Sequence, residues 1–566
     1  MSRQKLILDY VFDHEATHPD KVYLSQPVGG GKVVDYTWAQ TLDHARRMAA
    51  HLLSRGFEPG ARIAILSKNC AHFFMAELAI WMAGGTTVAI FPTETAATVR
   101  YVLEHSGASL LFVGKLDTWH QQSSGVSAGL PCIAFPLAPE TAFDTWDAII
   151  AQTPPLGGRP NRAANDLAML MYTSGSTGQP KGVMHSFERI TRASECIRQH
   201  SLSIAGREPE ARMLSYLPLA HVFERAWVEC SSMIDGSTRI FFAESLDTFM
   251  QDLQRARPTR FVSVPRLWLK FQQGVFAKMP PEKLDRLLRI PILGRLVGRK
   301  VLKGLGLDQV LSAGSGSAPI PGELITWYRR LGLNLLEGYA MTEDFAYSHS
   351  STQALNAPGY VGPPGEGVEV RISEDGEILI KSPGQMLGYY KRPDLDAECF
   401  TGDGFFRTGD MGERRPDGLL KITGRTKELF KTSKGKYVTP APIENRLNAH
   451  PLVEMALVSG IGQPAAYALV VLTEDRRQKL RDPAVRTRTE EELERLLKEV
   501  NAQLAHYEQL KMIVVSPEPW TIENGCLTPT MKVRRSRIEA AVSAEVEAWY
   551  DMQVAVHWAA PSRPAA

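Results

Sequence analysis

The chain has 566 residues, of which 44% are hydrophobic and 22% charged, and its formal net charge is +2 at pH 7. A chain of this length divides into at least two domains, and so small a net charge argues against a dedicated nucleic-acid-binding protein. The six cysteines form no Cys-x-x-Cys pair, which argues against a zinc site and a disulfide scaffold. We therefore expect a large cytoplasmic enzyme, and the first residues show no secretory signal pattern.

The first part of the chain alternates helical and strand patterns. Residues 37–56 have apolar side chains at helical spacing and end in glycine, and residues 62–67 form a short apolar run. The same order returns at 99–107 and 109–114. Repeated units of this kind predict a largely parallel sheet covered by helices, which binds ligands beyond the carboxyl ends of its strands.

Residues 73–91, "FFMAELAIWMAGGTTVAIF", are nearly long enough to cross a bilayer. Glu77 and the pair Gly84-Gly85 divide this stretch into a helix and a short strand. We therefore predict a buried α/β element here, not a membrane span.

The stretch "MYTSGSTGQPKGV" at 171–183 follows an apolar strand pattern at 168–172. Its glycines allow backbone N–H groups to approach an anion, its hydroxyls can donate to phosphate oxygens, and Lys181 adds a positive charge. It is not a Walker A loop, because Gln179-Pro180 separate the lysine from the preceding glycine. A flexible polar surface loop is the alternative. The candidate phosphate ligands are Thr173, Ser174, Gly175, Ser176, Thr177, Gly178 and Lys181.

Residues 286–306 mix leucine and isoleucine with arginine and lysine, as segments at a membrane surface do. Pro291 and several glycines interrupt any single helix, so we expect short packed helices. Peripheral membrane contact stays open at this point, and an integral span is not expected.

The pattern changes in the last third of the chain. Residues 355–423 contain short alternating runs and an Asp-Gly hairpin signal, which predict a β-rich subdomain. Residues 424–566 follow as a mixed α/β segment with a helical pattern over 488–507. A mobile C-terminal domain of this size is plausible.

Five motifs in the same order resemble the signatures of the adenylate-forming superfamily. They are "TSGSTGQPKG" at 173–182, "LEGYAMTE" at 336–343, "FRTGD" at 406–410, "ITGRTKE" at 422–428 and "NGCLTPTMKVRR" at 524–535. Four further stretches resemble its long-chain fatty acyl-CoA synthetases, namely "LFVGKLD", "LSYLPLAHVFERAW", "SVPRLW" and "KTSKGKYVTPAPIEN". The resemblance spans nearly the whole chain.

This resemblance implies an α/β fold in two parts. A large N-terminal adenylation domain of layered α/β subdomains would occupy 1–423, with its β-rich subdomain at 355–423. A small mobile α+β domain would occupy 424–566, with a hinge near 425–427. The oligomeric state, monomer or homodimer, is left open.

The resemblance also implies a reaction, the ligation of a long-chain fatty acid to coenzyme A. ATP and Mg²⁺ would first give an acyl-adenylate, and AMP and pyrophosphate would be released. A medium-chain or aromatic acid, a carrier protein as acceptor, and a non-catalytic nucleotide-binding protein are the alternatives. Because a carboxylate must approach an α-phosphate, such a site needs cations that neutralise several negative charges.

The resemblance assigns a role to each motif. Thr173 and Glu343 would hold Mg²⁺, Thr342 would bond the α-phosphate, and Lys532 would bridge the attacking carboxylate and that phosphate. His221 would line the acyl pocket near the carboxylate. The adenine slot would be formed by Gly314, Ser315, Gly316, Glu337, Gly338 and Tyr339, with the Tyr339 ring stacked on the base.

The resemblance also implies one group of residues for the ribose and another for the nucleotide or coenzyme A. Asp410 would accept both ribose hydroxyls, and Arg425 would support the same sugar. After the C-terminal domain turns about its hinge, a basic group would approach the nucleotide or coenzyme A, although a solvated basic loop is the alternative. Its members are Lys427, Lys431, Ser433, Lys434 and Gly435.

Overall fold

The computed structural model describes residues 4–160, 162–173, 179–206, 208, 210–528 and 531–560. The largest sheet has eight strands, mostly parallel, and only its first two neighbouring pairs are antiparallel. In spatial order the strands are Gly388–Tyr389, Lys181–Ser186, Leu167–Thr173, Thr86–Ile90, Arg62–Leu66, Leu110–Val113, Cys132–Ala134 and Asp144–Thr145. The predicted α/β fold class is confirmed.

Two four-stranded sheets, each mainly parallel, complete the layered part of the chain. The first has the order Ala211–Ser215, Thr238–Phe242, Val22–Pro27 and Val33–Thr37, and the second Arg260–Ser263, Ser312–Ser315, Leu335–Tyr339 and His349–Ser350. The longer helices up to residue 205 are Ile7–Thr17, Trp38–Ser54, Ala71–Met82, Ala96–Ser106, Trp146–Gln152 and Phe187–Ala205. Those that follow are Phe249–Ala256, Pro265–Lys278, Pro281–Leu288, Pro291–Leu305 and Gly322–Leu331.

The β-rich part is an antiparallel sheet. Its strands are Glu369–Ile372, Glu377–Lys381, Phe406–Arg414 and Leu420–Arg425. The predicted Asp-Gly hairpin lies between the first two, where Gly376 has a φ of 83° that suits glycine. The last strand runs through the predicted boundary at 423/424, and that boundary stays a prediction.

The C-terminal part carries its own sheet, with the order Val453–Ser459, Ala466–Leu472, Leu510–Val515 and Val556–Trp558. The helices here are Pro440–Asn448, Glu474–Lys479, Pro483–Asn501, Arg535–Val542 and Val546–Asp551, and a two-stranded ribbon pairs Phe430–Lys431 with Tyr437–Val438. Buried apolar clusters cover both faces of this sheet. The C-terminal part therefore has a core of its own.

The apolar stretch at 73–91 forms the helix Ala71–Met82 and the strand Thr86–Ile90, as predicted, and every residue of that helix is buried. Within the described ranges, none of the helices combines the length and apolarity that a bilayer crossing requires.

A buried ionic cluster joins this helix to a π-helical turn, Arg225–Cys230. Glu77, Arg225 and Glu229 are fully buried, Arg225 pairs with Glu77, and its Nε lies 2.9 Å from a carboxyl oxygen of Glu229. Two carboxyls share one guanidinium here. Burial, and next the charge of Glu77, raise the pKa of Glu229 well above its ordinary value.

This cluster predicts two different mutant phenotypes. Arg225→Met should destabilise the fold by about 3–5 kcal/mol, because it leaves buried carboxyls without their cation. In the wild type, stability should fall as pH rises above 4.5, since the folded state keeps the Glu229 proton and the unfolded state releases it. Glu229→Gln should reduce that fall. Urea unfolding midpoints at pH 5.5 and 8 measure both effects, and an unchanged midpoint for Arg225→Met would contradict the prediction.

Candidate active site

Asp410 is held between two side chains from different sheets. It lies in the strand Phe406–Arg414, is buried, and faces Arg425 across the ladder. The hydroxyl of Tyr339 donates to its Oδ2 at 2.6 Å, and Nε of Arg425 donates to its Oδ1 at 2.7 Å. Each carboxylate oxygen can accept more than one hydrogen bond, so Asp410 is fixed in orientation and keeps acceptor capacity.

Tyr339 stays a neutral donor in this arrangement. Burial, and then the charge of Asp410, raise the pKa of its hydroxyl well above the ordinary value. Its ring is fixed at one end by the bond to Asp410 and lies at the end of the strand Leu335–Tyr339. The ring is therefore preset for a planar ligand.

Two neighbouring strands form a narrow slot beside Tyr339. Ser315 pairs in register with Glu337. A side chain at Gly316 would begin 3.4 Å from the ring of Phe223, and one at Gly338 would begin 3.2 Å from the carbonyl oxygen of His349. Gly314 lies on the strand Ser312–Ser315, and a side chain there would begin 3.4 Å from Val262. Glycine keeps backbone accessible at these positions.

The slot contains buried polar atoms without partners. Oγ of Ser315 and Oε2 of Glu337 make no hydrogen bond within the part of the chain that the structure describes. Burial raises the pKa of Glu337 to about 7. Buried polar groups are normally satisfied, so orphaned atoms beside a slot indicate a place for a polar ligand.

Thr342 and Glu343 lie on a short 3₁₀ turn, Thr342–Asp344, that is fastened from two sides. Tyr389 donates to Oε1 of Glu343 at 2.7 Å, and Nε2 of His185 donates to the carbonyl of Thr342 at 2.8 Å. Burial lowers the pKa of His185 to about 4, which keeps the imidazole neutral. Both contacts come from the largest sheet and fix the direction of the Glu343 carboxylate.

Asp344 fastens the same turn from within. It accepts a hydrogen bond from the amide of Met341 at 2.9 Å, and burial raises its pKa to about 8. Sequence reasoning missed Asp344, Tyr389 and His185. Neither the tyrosine nor the histidine lies in a recognised motif, and no spacing signal could have found them.

The described residues include the two ends of the phosphate-loop motif. Thr173 ends one strand and pairs in register with Lys181, which begins the next. Ser174, Gly175, Ser176, Thr177 and Gly178 lie outside the described residues. Nζ of Lys181 is 5.2 Å from the ring centroid of Tyr389, whose hydroxyl bonds Glu343. The structure therefore brings Lys181 and Glu343 to the same aromatic side chain, one over its ring and the other at its hydroxyl.

The carboxylate of Glu343 suits a Mg²⁺ ion that keeps several water ligands and binds substrate phosphates. Over the ranges that the structure describes, no group of three or more His, Cys, Asp or Glu could hold an ion. Mg²⁺ commonly keeps several waters and binds one or two carboxylates together with substrate phosphates. Glu343, with its carboxylate fixed by Tyr389, matches that requirement.

Lys532 reaches this site from the C-terminal part of the chain. Its amide donates to Oγ1 of Thr528 at 3.0 Å, and the amide of Thr528 donates to its carbonyl at 2.8 Å. Lys532 is an exposed residue, yet protein packed around the ammonium lowers its pKa, and Arg425 lowers it further, whereas Asp410 and Glu343 oppose the shift. Lys532 therefore lies within electrostatic reach of both carboxylates.

His221 is affected by the same lysine. Burial, and next the charge of Lys532, lower the pKa of the imidazole to about 3, so it is neutral. Its Nδ1 accepts from the amide of Phe223 at 3.2 Å at the start of the short helix Val222–Glu224. Phe223 also contacts the glycine slot. Residues 221–223 therefore lie beside the glycine slot and within the electrostatic range of Lys532.

The predicted basic group divides in two. Lys427 lies in the turn after Leu420–Arg425, and its charge, like that of Lys181, acts on Cys399. The other four residues belong to the ribbon hairpin, where Nζ of Lys431 lies 5.5 Å from the Tyr437 ring centroid. Ser433 donates its amide to Gln463, Gly435 has a φ of 75°, and Lys434 is exposed. Among the residues that the structure describes, no hydrogen bond or ion pair joins the hairpin to Asp410.

One ion-pair network joins the two parts of the chain. Nη2 of Arg266, on the helix Pro265–Lys278, lies 2.6 Å from Oε1 of Glu454, on the strand Val453–Ser459. Arg477 holds the other carboxyl oxygen of Glu454 at 2.8 Å. Sequence reasoning missed this contact, although Arg266 lies in the motif "SVPRLW".

Comparison with known proteins identifies the family of the chain. The family model described as AMP-binding enzyme matches residues 11–390, and the model of the AMP-binding enzyme C-terminal domain matches 428–554. The long-chain-fatty-acid–CoA ligase FadD15 of Mycobacterium tuberculosis is 31% identical, over 96% of this chain and 96% of its own. Long-chain-fatty-acid–CoA ligase 1 of Homo sapiens is 27% identical, over 91% and 82%.

Solved structures share the fold. The A domain of carboxylic acid reductase from Segniliparus rugosus, in complex with AMP and a carboxylic acid, has a TM-score of 0.80 at 23% identity, over 98% of this chain and 95% of its own. The anthranilate CoA ligase AuaEII, in complex with anthranoyl-AMP, has a TM-score of 0.75 at 18% identity, over 97% and 99%. The chain belongs to the AMP-binding enzyme family, in the adenylate-forming superfamily, and within it is like the long-chain acyl-CoA synthetases.

Proposed function

We propose that the enzyme is an AMP-forming ligase that joins a long-chain fatty acid to coenzyme A. The observation that carries the proposal is that Lys532, from the C-terminal part, lies within electrostatic range of Asp410, Glu343 and His221. Relatives named as long-chain-fatty-acid–CoA ligases match nearly the whole chain, which supports the acid and the acceptor. We propose a cytoplasmic location, where the six scattered cysteines would stay reduced.

In the first step a carboxylate oxygen of the acid attacks the α-phosphorus of ATP. The bond from that phosphorus to the bridging oxygen breaks, and its electron pair leaves with pyrophosphate. Lys532 would lie between the two anions and offset their repulsion, which is the main obstacle to the step. His221 is neutral and adds no positive charge, so Lys532 would supply the charge that offsets this repulsion.

The triphosphate would lie between the phosphate loop and the Glu343 turn. Lys181 and the loop 173–178 would hold the β- and γ-phosphates, and Thr342 would donate to the α-phosphate. Thr173 and Glu343 would hold Mg²⁺, which supplies charge neutralisation to the phosphate oxygens when bound. The Tyr389–Glu343 hydrogen bond of 2.7 Å supports this assignment, because it fixes the carboxylate before the ligand arrives.

The nucleoside would lie between Tyr339, Asp410 and the glycine slot. The free acceptor capacity of Asp410 suits two ribose hydroxyls. Adenine would lie against Tyr339 in the slot of Gly314, Gly316 and Gly338, where orphaned Glu337 and Ser315 offer polar partners.

In the second step the thiol sulfur attacks the acyl carbonyl, the carbonyl–oxygen bond to AMP breaks, and the thiol proton passes to solvent. Lys532 is not needed there, so the C-terminal part would turn about residues 425–427 and present another face. Lys427, Lys431 and Lys434 would then meet anionic groups of the nucleotide or coenzyme A, with Ser433 and Gly435 shaping the hairpin.

A substitution of Lys532 separates acyl-AMP formation from thioester formation. Lys532→Ala should slow acyl-AMP formation by roughly 10²- to 10³-fold, because an electrostatic contact to developing charge is lost. Thioester formation from supplied acyl-AMP should stay within about twofold. Pyrophosphate release and acyl-CoA formation measure the two steps, and the exposed Lys498→Ala serves as the matched control. Equal loss in both steps would contradict the division of labour.

The same assay tests the function as a whole. Pyrophosphate release should depend on a long-chain acid, and acyl-CoA should form only when coenzyme A is present. Release without any acyl-CoA product would instead indicate a carrier protein as acceptor. No acid-dependent release would exclude the enzymatic proposal.

Tyr339→Phe tests the nucleoside assignment. The variant keeps the ring and removes the donor that orients Asp410, so we expect KM for ATP to rise about tenfold, as for loss of a hydrogen bond to a charged group. KM for the acid should change much less. Tyr507→Phe, at an exposed tyrosine, is the control, and an equal rise in both KM values would count against the assignment.

Arg266→Gln tests the contact between the two parts. Because Glu454 also pairs with Arg477 and the pair is partly exposed, we expect a two- to fivefold slower adenylation, roughly the size of a partly exposed ion pair. Thioester formation from acyl-AMP should be unchanged or faster, since the ion pair holds only the arrangement with Lys532 in the site. Single-turnover kinetics of each step decide this, and a slower second step would refute it.

A further inference from the structure

The helices Pro281–Leu288 and Pro291–Leu305 form a surface that the reaction does not use. Four apolar side chains meet where the second helix begins. Ile290, Ile292, Leu293 and Leu296 are 49%, 78%, 40% and 62% exposed. We call these four residues the apolar tip. Single exposed apolar residues are ordinary, whereas a contiguous cluster marks a binding surface.

The outward direction of the apolar tip is fixed by glycines on the opposite side of the helix. A side chain at Gly294 would begin 2.5 Å from the carbonyl oxygen of Leu288, and one at Gly298 would begin 2.5 Å from that of Leu331. The helix therefore packs backbone to backbone along this face. Ile292 and Leu296, one turn apart on the other face, cannot turn inward without breaking that packing.

Cations surround the apolar tip. Between residues 286 and 303 the sequence has no acidic residue. The basic residues there are all exposed, and across the described ranges none of them forms an ion pair. They are Arg286, Arg289, Arg295, Arg299, Lys300 and Lys303. Asp285, the nearest acid before them, pairs instead with Arg330 at 2.9 Å.

The positive charge around the apolar tip favours an anionic lipid surface over a second copy of the chain as the partner. A second copy of the chain would bring the same cations against these, and their repulsion opposes such a contact. An anionic lipid surface is complementary to both features, because phosphates accept the cations and the headgroup boundary accepts short apolar side chains.

We propose that the apolar tip and its cations dock the enzyme on an anionic membrane surface. Ile292 and Leu296 enter the boundary between headgroups and acyl chains, and the arginines and lysines contact lipid phosphates. The docking rests on this surface alone and holds whichever acid the enzyme activates.

Vesicle cosedimentation of the full chain tests the docking. We expect binding to phosphatidylcholine vesicles containing phosphatidylglycerol and little binding to phosphatidylcholine alone. Ile292→Ser with Leu296→Ser should weaken the partition at least about tenfold, since the buried apolar area is lost. Leu246→Ser is the matched control, because Leu246 is 90% exposed and lies elsewhere. Unchanged thermal unfolding would show that the double variant folds.

The cations have a separate test. Arg289→Gln, Arg295→Gln and Arg299→Gln together should weaken binding to the anionic vesicles by roughly hundredfold, and salt should weaken the wild type steeply. Pyrophosphate release with a water-soluble acid should be the same for all variants, which separates docking from the proposed reaction.

Three results would overturn the proposal. One is equal binding of the wild type to neutral and anionic vesicles. Another is vesicle binding that the apolar double variant retains. The third is a dimer in sedimentation equilibrium that the same double variant dissociates, which would assign the tip to a second copy of the chain.

Discussion

The ion pair between Asp410 and Arg425 is the contact on which the candidate site depends. Asp410 is the acidic group suited to the ribose, and Arg425 is the last residue of the strand that leads into the C-terminal part. A buried carboxylate needs a cation and hydrogen bonds, and here the cation comes from the segment proposed as the hinge. Under the proposed function, nucleotide recognition and domain connection would therefore share the side chain of Arg425.

The other charged groups of the candidate site likewise have hydrogen-bond donors or opposite charges near them. Tyr389 fixes Glu343, Tyr339 fixes Asp410, and Lys532 reaches both carboxylates from the far end of the chain. Each of the two carboxylates accepts a hydrogen bond from a neutral tyrosine that precedes residue 424, whereas Lys532 belongs to the C-terminal part. A site built in this way is incomplete until the C-terminal part is in position.

The layered α/β fold and much of the site could be predicted from the sequence because short motifs carry them. Alternating helix and strand patterns predicted a largely parallel sheet but not the order of its strands, whereas Asp410, Glu343 and Lys532 lie in contiguous segments with recognisable neighbours. Contacts between distant segments could not be predicted. Tyr389 bonds a residue 46 positions earlier, and Arg266 pairs with one 188 positions later, and neither is encoded by local spacing.

The attachment of Lys532 has a consequence for the order of the two steps. Its amide and its carbonyl both bond Thr528, so under the proposed function the ammonium would be delivered and withdrawn together with the C-terminal part that carries it. Once the lysine has left, the reverse attack of pyrophosphate on the acyl-adenylate would lose its electrostatic support. Withdrawal of this one cation would therefore favour transfer of the acyl group to the thiol.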